Sequence, residues 1–364
     1  MPDADPLVNP DAFSGSPGSS PPAEGPAGRL LAPDASLPDR EIENTLRPRT
    51  FDDFVGQTRV VDNLRIALQA ARGRGEPLDH VLLSGGPGLG KTSLARILAS
   101  ELGTRHHGAT GPALERPRDL VGILTQLEDG DVFFIDEIHR VPVAVEEYLY
   151  TAMEDFTVDF TLDQGPNARV LPLPLKRFTL VGATTRDGLL SSPFRGRFGL
   201  VERLAPYPDD DLVRILLRAA GILGVELTPE GAALVASRSR GTPRIANRFL
   251  RRVRDFAQVE EQARIDAGVA GGALERLGID HHGLEDLDRR VLACLAASDG
   301  PVGLKTIAAA VGESEDTIEE VYEPHLLRSG FLQKTSRGRM ITGAGRKAIG
   351  LPLQGGPEPP GLFA

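Results

Sequence analysis

Gly85-Gly86-Pro87-Gly88-Leu89-Gly90-Lys91-Thr92 places glycines, a lysine and a hydroxyl in the order G-x-x-x-x-G-K-T. Glycines at those positions let backbone N–H groups turn inward around phosphate oxygens. The lysine then reaches the β- and γ-phosphates, and the threonine can ligate Mg²⁺. Further along, the apolar run Val132-Phe133-Phe134-Ile135 ends in Asp136-Glu137. Acids at the carboxyl end of a buried strand lie where open α/β sheets place their ligands. Asp136 suits a water-mediated hold on Mg²⁺, and Glu137 suits polarising a water that attacks a γ-phosphate. A third run, Leu180-Val181-Gly182-Ala183, ends in Thr184-Thr185-Arg186, where the Thr185 hydroxyl can bond the γ-phosphate or that water.

Three arginines extend the same chemistry. Arg195 and Arg197 lie in Ser191-Ser192-Pro193-Phe194-Arg195-Gly196-Arg197-Phe198-Gly199, and in a ring assembly either could project into a neighbour's site as an arginine finger. Gly241-Thr242-Pro243-Arg244 predicts a helix start with Thr242 as N-cap and Pro243 in the first turn. Arg244 there opposes the helix dipole, a cost that a nearby phosphate would offset. It is therefore a candidate phosphate ligand delivered by a second domain, which would give nucleotide turnover a lever on domain orientation.

These residues require an α/β frame. Val81-Leu82-Leu83, residues 132–135 and residues 178–182 predict buried parallel strands, alternating with helices over 60–71, 93–102 and 144–153. Between the last two strands, Val158, Phe160 and Leu162 alternate with polar residues, followed by Gln164-Gly165-Pro166-Asn167 and a return run through Val170, Leu171 and Leu173. That pattern predicts an inserted β-hairpin whose apolar face either packs on the sheet or binds a partner. Pro206-Tyr207-Pro208 marks a boundary, after which helices are expected over 211–220, 229–237 and 243–258. Beyond a second boundary at 278–283, helices over 284–297, 304–311 and 315–328 precede two short strands around 331–333 and 340–342, with Gly338 at their turn. Three helices and a hairpin describe a winged helix. The expected organisation is a disordered Pro/Gly/Ser-rich tail (1–28), a large ATPase domain (29–207), a small helical domain (208–278), a winged-helix head (279–351) and a flexible C-terminus (352–364).

Composition narrows the classes. Hydrophobic residues make up 40% and charged residues 25%, as in ordinary soluble proteins, and no apolar run is long enough to span a membrane. With no secretory pattern at the N-terminus, a cytoplasmic location is expected. Cys294 stands alone, so neither a disulfide framework nor a thiolate zinc site is available. The histidine pairs His106-His107 and His281-His282 lack ligand spacing and are expected to be structural or on the surface. The net charge of −10 argues against coating nucleic acid with the whole surface. Any such contact must be local, and Arg328, Lys334, Arg337, Arg339, Arg346 and Lys347 form an acid-free basic stretch directly after an acidic one, Glu313 to Glu323.

Taken together these strings, with Ile135-Asp136-Glu137-Ile138-His139-Arg140 and Arg197-Phe198-Gly199, resemble those of the RuvB family, AAA+ motors of Holliday-junction branch migration, over about residues 47–351. The resemblance implies a large AAA+ P-loop domain, a small helical lid and a winged-helix head, assembled as a homohexameric ring around duplex DNA. It implies ATP between Leu46-Arg47, the loop residues Gly88, Gly90, Lys91, Thr92 and Ser93, Tyr207 and Arg244, with Glu154, Asp155, Phe156 and Arg197 supplied by a neighbouring subunit. The hairpin would dock a RuvA-like junction-binding protein, a RuvC-like resolvase would act in the same recombination and repair process, and Lys334 and Arg339 would contact the DNA backbone. Arg337 joins them by its place in the basic stretch. Two residues depart from the usual pattern: Gly86 stands where proline is common and loosens the loop, and Lys334 replaces an arginine and loses its planar fork. An AAA+ loader or switch ATPase would share every nucleotide motif. A DNA-binding regulator with a mere nucleotide switch would have no need of Glu137.

Overall fold

The computed structural model describes residues 43–161 and 170–353. Residues 1–28, Leu162, the hairpin turn and residues 354–364 lie outside the described residues. Seven strands build the first part: β1 (Val81–Ser84), β2 (His106–Thr110), β3 (Val132–Asp136), β4 (Thr157–Thr161), β5 (Val170–Pro174), β6 (Thr179–Thr184) and β7 (Leu200–Arg203). Five of them form a parallel sheet in the order β2-β3-β6-β1-β7, while β4 and β5 pair antiparallel outside it.

Side chains alternate across a strand, and in β1, β3 and β6 both sets are apolar, so both faces must be covered. Val81, Leu83, Phe134 and Val181 pack with Val60, Leu64 and Leu68 of α1 (Thr58–Arg74) and with Leu94, Ile97 and Leu98 of α2 (Lys91–Leu102). Leu82, Phe133, Ile135 and Leu180 pack on the other face with Leu120 and Leu124 of α3 (Pro117–Leu124) and Val145 and Leu149 of α4 (Val143–Glu154). The strands that sequence reading missed are the two edges. Neither β2 nor β7 is buried throughout, so neither carries a continuous apolar run.

After the short α5 (Ser192–Arg195) come α6 (Asp209–Leu223), α7 (Pro229–Arg238), α8 (Pro243–Val259) and α9 (Ala267–Arg276). The glycine-rich α9 was not expected. It starts on Asp266, whose carboxylate accepts the Val269 N–H at 3.0 Å. Leu212, Leu216, Phe249, Leu250 and Leu274 from these helices join the core on the α1/α2 face. The head has its own core, built from α10 (Asp286–Ala296), α11 (Leu304–Val311), α12 (Glu315–Thr317), α13 (Glu323–Arg328), β8 (Leu332–Thr335), β9 (Gly338–Ile341) and α14 (Gly343–Ala348). The single helix expected over 315–328 is interrupted by a π-helical turn, Ile318–Tyr322. Gly338, at φ 143°, opens β9 because a Cβ there would lie 2.4 Å from the Val302 carbonyl oxygen, to which β9 is bridged.

The hairpin divides the residues proposed for partner binding. Val158 is fully buried, so it anchors the base of the hairpin and does not face a partner. Phe160 lies one pleat further along β4, and Leu162 falls outside the described residues.

Candidate active site

The phosphate loop joins β1 to α2, with Gly85, Gly88 and Gly90 at φ 140°, 75° and 109°. Close approach also demands glycine here: a Cβ on Gly88 would lie 2.8 Å from that of Arg244, and one on Gly90 would lie 2.9 Å from the Phe54 ring. Lys91 opens α2 with its ammonium folded back, donating to the carbonyls of Gly85 at 2.7 Å and Gly86 at 2.9 Å. Burial draws its pKa below the ordinary lysine range, and the charges of Glu137 and Asp136 act the other way. Among the described residues no carboxylate lies within ion-pair distance of Lys91.

Asp136 ends β3, and its carboxylate accepts the Glu137 N–H at 3.0 Å. Burial, then the charge of Glu137, pushes the Asp136 carboxyl above its usual range, with Lys91 opposing. Glu137 sits in the left-handed region at φ 50°, and the chain can turn there because Gly111 is side-chain-free: a Cβ on Gly111 would lie 2.3 Å from the Glu137 carbonyl oxygen. The Glu137 carboxylate accepts the Thr185 hydroxyl at 3.1 Å and lies 3.2 Å from His139 Nδ1. That same nitrogen is 2.9 Å from the Thr184 hydroxyl. Burial lowers the His139 pKa, keeping the ring neutral and able to donate from Nδ1. Sequence reading passed over His139. The sequence signals it only by its place two residues after Glu137 in the string 135–140, and its contacts come from the 3₁₀ turn in which it sits.

One cleft, enclosing about 1070 Å³ with its solvent-open mouth, brings together Leu46, Arg47, the loop residues Gly88 to Ser93, Asp136, Glu137, Tyr207 and Arg244. Tyr207 is buried and donates its hydroxyl to the Leu89 carbonyl at 3.3 Å, and burial keeps that phenol protonated. Arg244 is half exposed and 3.5 Å from Glu43. Thr242 precedes its helix as expected but does not cap it: the hydroxyl donates to the Arg240 carbonyl at 3.4 Å.

Glu154, Asp155, Phe156 and Arg197 do not line this cleft. Arg197 pairs with Glu154 at 3.2 Å, whereas the Phe156 ring packs among His80 and Phe178. Arg195 is exposed. In the head, Lys334 and Arg339 face each other across the β8/β9 pair. Both bind acids of the preceding helices: Lys334 lies 3.0 Å and Arg339 2.7 Å from the buried Glu323, and each lies 3.4 Å from Glu319. Arg339 is thus committed to an internal pair, with its side chain 14% exposed, while Arg337 at the wing tip is exposed and makes no ion pair among the described residues. Arg186 was also missed by sequence reading. It reaches from beside Thr185 to Asp316, Glu319 and Glu320 of the head at 3.2, 3.3 and 2.9 Å.

A phosphate loop on a parallel sheet, an acid pair at the end of β3 one strand removed from the loop's own β1, a helical lid carrying an arginine over the loop and a winged-helix head define an AAA+ P-loop ATPase. Comparison with known proteins narrows the class. The profile of the Holliday junction DNA helicase RuvB P-loop domain matches residues 46–204, that of the RuvB AAA lid domain 207–280, and that of the RuvB C-terminal winged helix domain 281–350. The chain belongs to the RuvB family. It is 57% identical over 314 residues to the Holliday junction branch migration complex subunit RuvB of Myxococcus xanthus, covering 86% of this chain and 92% of that one. The Methanoregula boonei subunit is 56% identical over 318 residues, covering 87% and 95%. The solved Thermotoga maritima RuvB Holliday junction branch migration motor superposes with a TM-score of 0.78 at 48% identity, covering 85% of this chain and 100% of that one.

Proposed function

We propose that this protein is an ATP-driven motor that moves duplex DNA to drive branch migration of Holliday junctions in recombination and repair. In this reading it works in the cytoplasm as a homohexameric ring with a RuvA-like junction-binding protein and a RuvC-like resolvase. The observation that carries the hydrolytic part is Glu137, a carboxylate held by Thr185 just after β3 and lining the same cleft as the phosphate loop. A nucleotide that only switched conformation would not require a water-activating base there.

The loop fits an anionic phosphate. Its glycines leave a cradle that Cβ atoms would fill, α2 presents its N-terminus, and Lys91 exchanges two carbonyl contacts for phosphate oxygens. Thr92 and Asp136 fit Mg²⁺, an oxygen-seeking ion bound through few side chains, water and phosphate. When bound, Mg²⁺ neutralises charge on the β- and γ-phosphates. Glu137 orients the attacking water and takes its proton, Thr185 and His139 fix that carboxylate, and Arg244 links phosphate charge to the lid. Leu46, Arg47 and Tyr207 enclose the base and ribose. Arg197 of a neighbouring subunit, with Glu154, Asp155 and Phe156 flanking that boundary, completes the site. Arg337 holds DNA phosphates without reading sequence, and Lys334 joins it only by exchanging Glu319 and Glu323 for phosphate.

The test is dissociation of a synthetic four-way junction with ATP, with and without a RuvA-type protein. Dissociation that requires ATP and is accelerated by the partner is expected. ATP hydrolysis that never separates junction arms, with the partner present, would overturn the motor reading.

A further inference from the structure

An arginine that must act across a subunit boundary has many rotamers to lose, and fixing it beforehand removes that cost from the reactive encounter. Arg197 is fixed on three sides. Its guanidinium carbon lies 4.2 Å from the centre of the Tyr150 ring, Nη1 donates to the Pro193 carbonyl at 2.7 Å, and Nε is 3.2 Å from Glu154 Oε1. Tyr150 is itself tied down. Its hydroxyl donates to Glu146 Oε1 and lies 3.1 Å from the Ser191 hydroxyl, which donates to the same Glu146 oxygen at 2.7 Å. Its ring packs against the fully buried Phe194, with centroids 5.6 Å apart. The exposed Arg195, two residues earlier, has no comparable mount among the described residues.

We propose that Tyr150 is the positioning residue of the arginine finger: tied to Glu146 and Ser191, it stacks on the Arg197 guanidinium and aims it out of the subunit. This rests on the reading of Arg197 as a finger acting on the neighbour's nucleotide. A stacked guanidinium keeps its N–H edges free, so Arg197 can exchange Glu154 for a γ-phosphate without leaving the ring face. Glu154 then serves as the resting counter-ion, and Tyr150 holds the orientation while the partners change.

Steady-state ATPase of Tyr150→Phe and Tyr150→Leu separates the ring face from the hydroxyl. Tyr150→Phe, which keeps the face, should retain most of the turnover. Tyr150→Leu should lose about 10- to 100-fold in kcat, the scale of a displaced catalytic group, with KM for ATP little changed. Tyr150→Met fills the volume without a π face and replaces the leucine variant if that one does not assemble. Mixed rings then locate the defect. Tyr150→Leu should regain turnover when mixed with Lys91→Ala, which contributes an intact finger, and should gain nothing with Arg197→Ala. The opposite pattern would place the damage in the variant's own phosphate site and overturn the proposal, as would turnover of Tyr150→Leu and Tyr150→Met within about twofold of the parent. Arg197→Ala mixed with Lys91→Ala is the control. No recovery there, with mixed assembly verified, would mean that the trans-acting finger itself has failed, and the Tyr150 assignment falls with it.

Discussion

Glu137 holds a backbone conformation that few side chains adopt, and its carboxylate already meets Thr185. Strain of that kind persists where the surroundings over-determine it. Glu137→Gln should therefore keep the fold and ATP binding while turnover drops by about 10²- to 10⁴-fold, the usual worth of a positioned general base. Equilibrium binding of labelled ATP beside steady-state hydrolysis checks both halves. The wing supplies a second contrast. Arg337→Ala should weaken DNA binding alike on unrelated sequences and lower the log-affinity versus log-salt slope by about one, without affecting stability. Arg339→Ala should instead leave the buried Glu323 with only Lys334 and destabilise the head by about 1–3 kcal/mol, read by denaturant unfolding. Equal salt slopes and equal unfolding midpoints for the two variants would contradict this division.

At the level of elements, the β4/β5 hairpin couples a buried base to a distal segment. Placing a carboxylate at Val158 buries a charge without a partner, so Val158→Asp should cost more than about 3 kcal/mol or prevent folding. Phe160→Glu, one pleat outward, should leave intrinsic ATPase within about twofold and abolish its stimulation by a RuvA-type protein. Thermal unfolding beside partner-stimulated hydrolysis distinguishes the two. Equal loss of folding in both would make the whole hairpin core.

Across the whole molecule, charged contacts tie the head to the rest. Arg186 joins the strand end beside Thr185 to the π-helical turn of the head. Behind it, the buried Arg240 at the lid pairs with Asp288 at 2.5 Å and donates to the Gly283 carbonyl at 2.9 Å. Beside that pair, burial pushes the Glu285 carboxyl up to about 7 from an ordinary 4.5, while Arg240 opposes the shift. The folded state then binds more protons than the unfolded one between those values, so the Glu285 contribution is complete below about pH 4.5 and is lost as pH rises through 7. His325 runs the other way. Burial lowers it to about 3, so its contribution is present above the ordinary 6.5 and is lost as pH falls toward 3. Glu285→Gln should isolate the first trend, gaining about 3 kcal/mol relative to the parent between pH 4 and pH 8 in denaturant unfolding. A flat difference profile would show that Glu285 titrates normally.

The amino-acid sequence alone determined the phosphate loop, the acid pair, the buried strands β1, β3 and β6 and the order of the three parts. Each of these is written in contiguous residues: glycine spacing, apolar runs and prolines act over a few positions. The edge strands β2 and β7 were illegible because edges are only half buried. His139 and Arg186 became visible only when the fold brought Glu137, Thr184 and the head acids to them. Along the sequence, the acids at 313–323 and the bases at 328–347 are segregated, and the acid-free basic stretch offers a local contact for nucleic acid. In three dimensions the same two stretches lie side by side, and Glu319 and Glu323 neutralise Lys334 and Arg339. Separation along a chain does not predict separation in space. Which charges remain free for DNA was therefore decided by helix and wing packing, and that packing left Arg337 exposed at the tip.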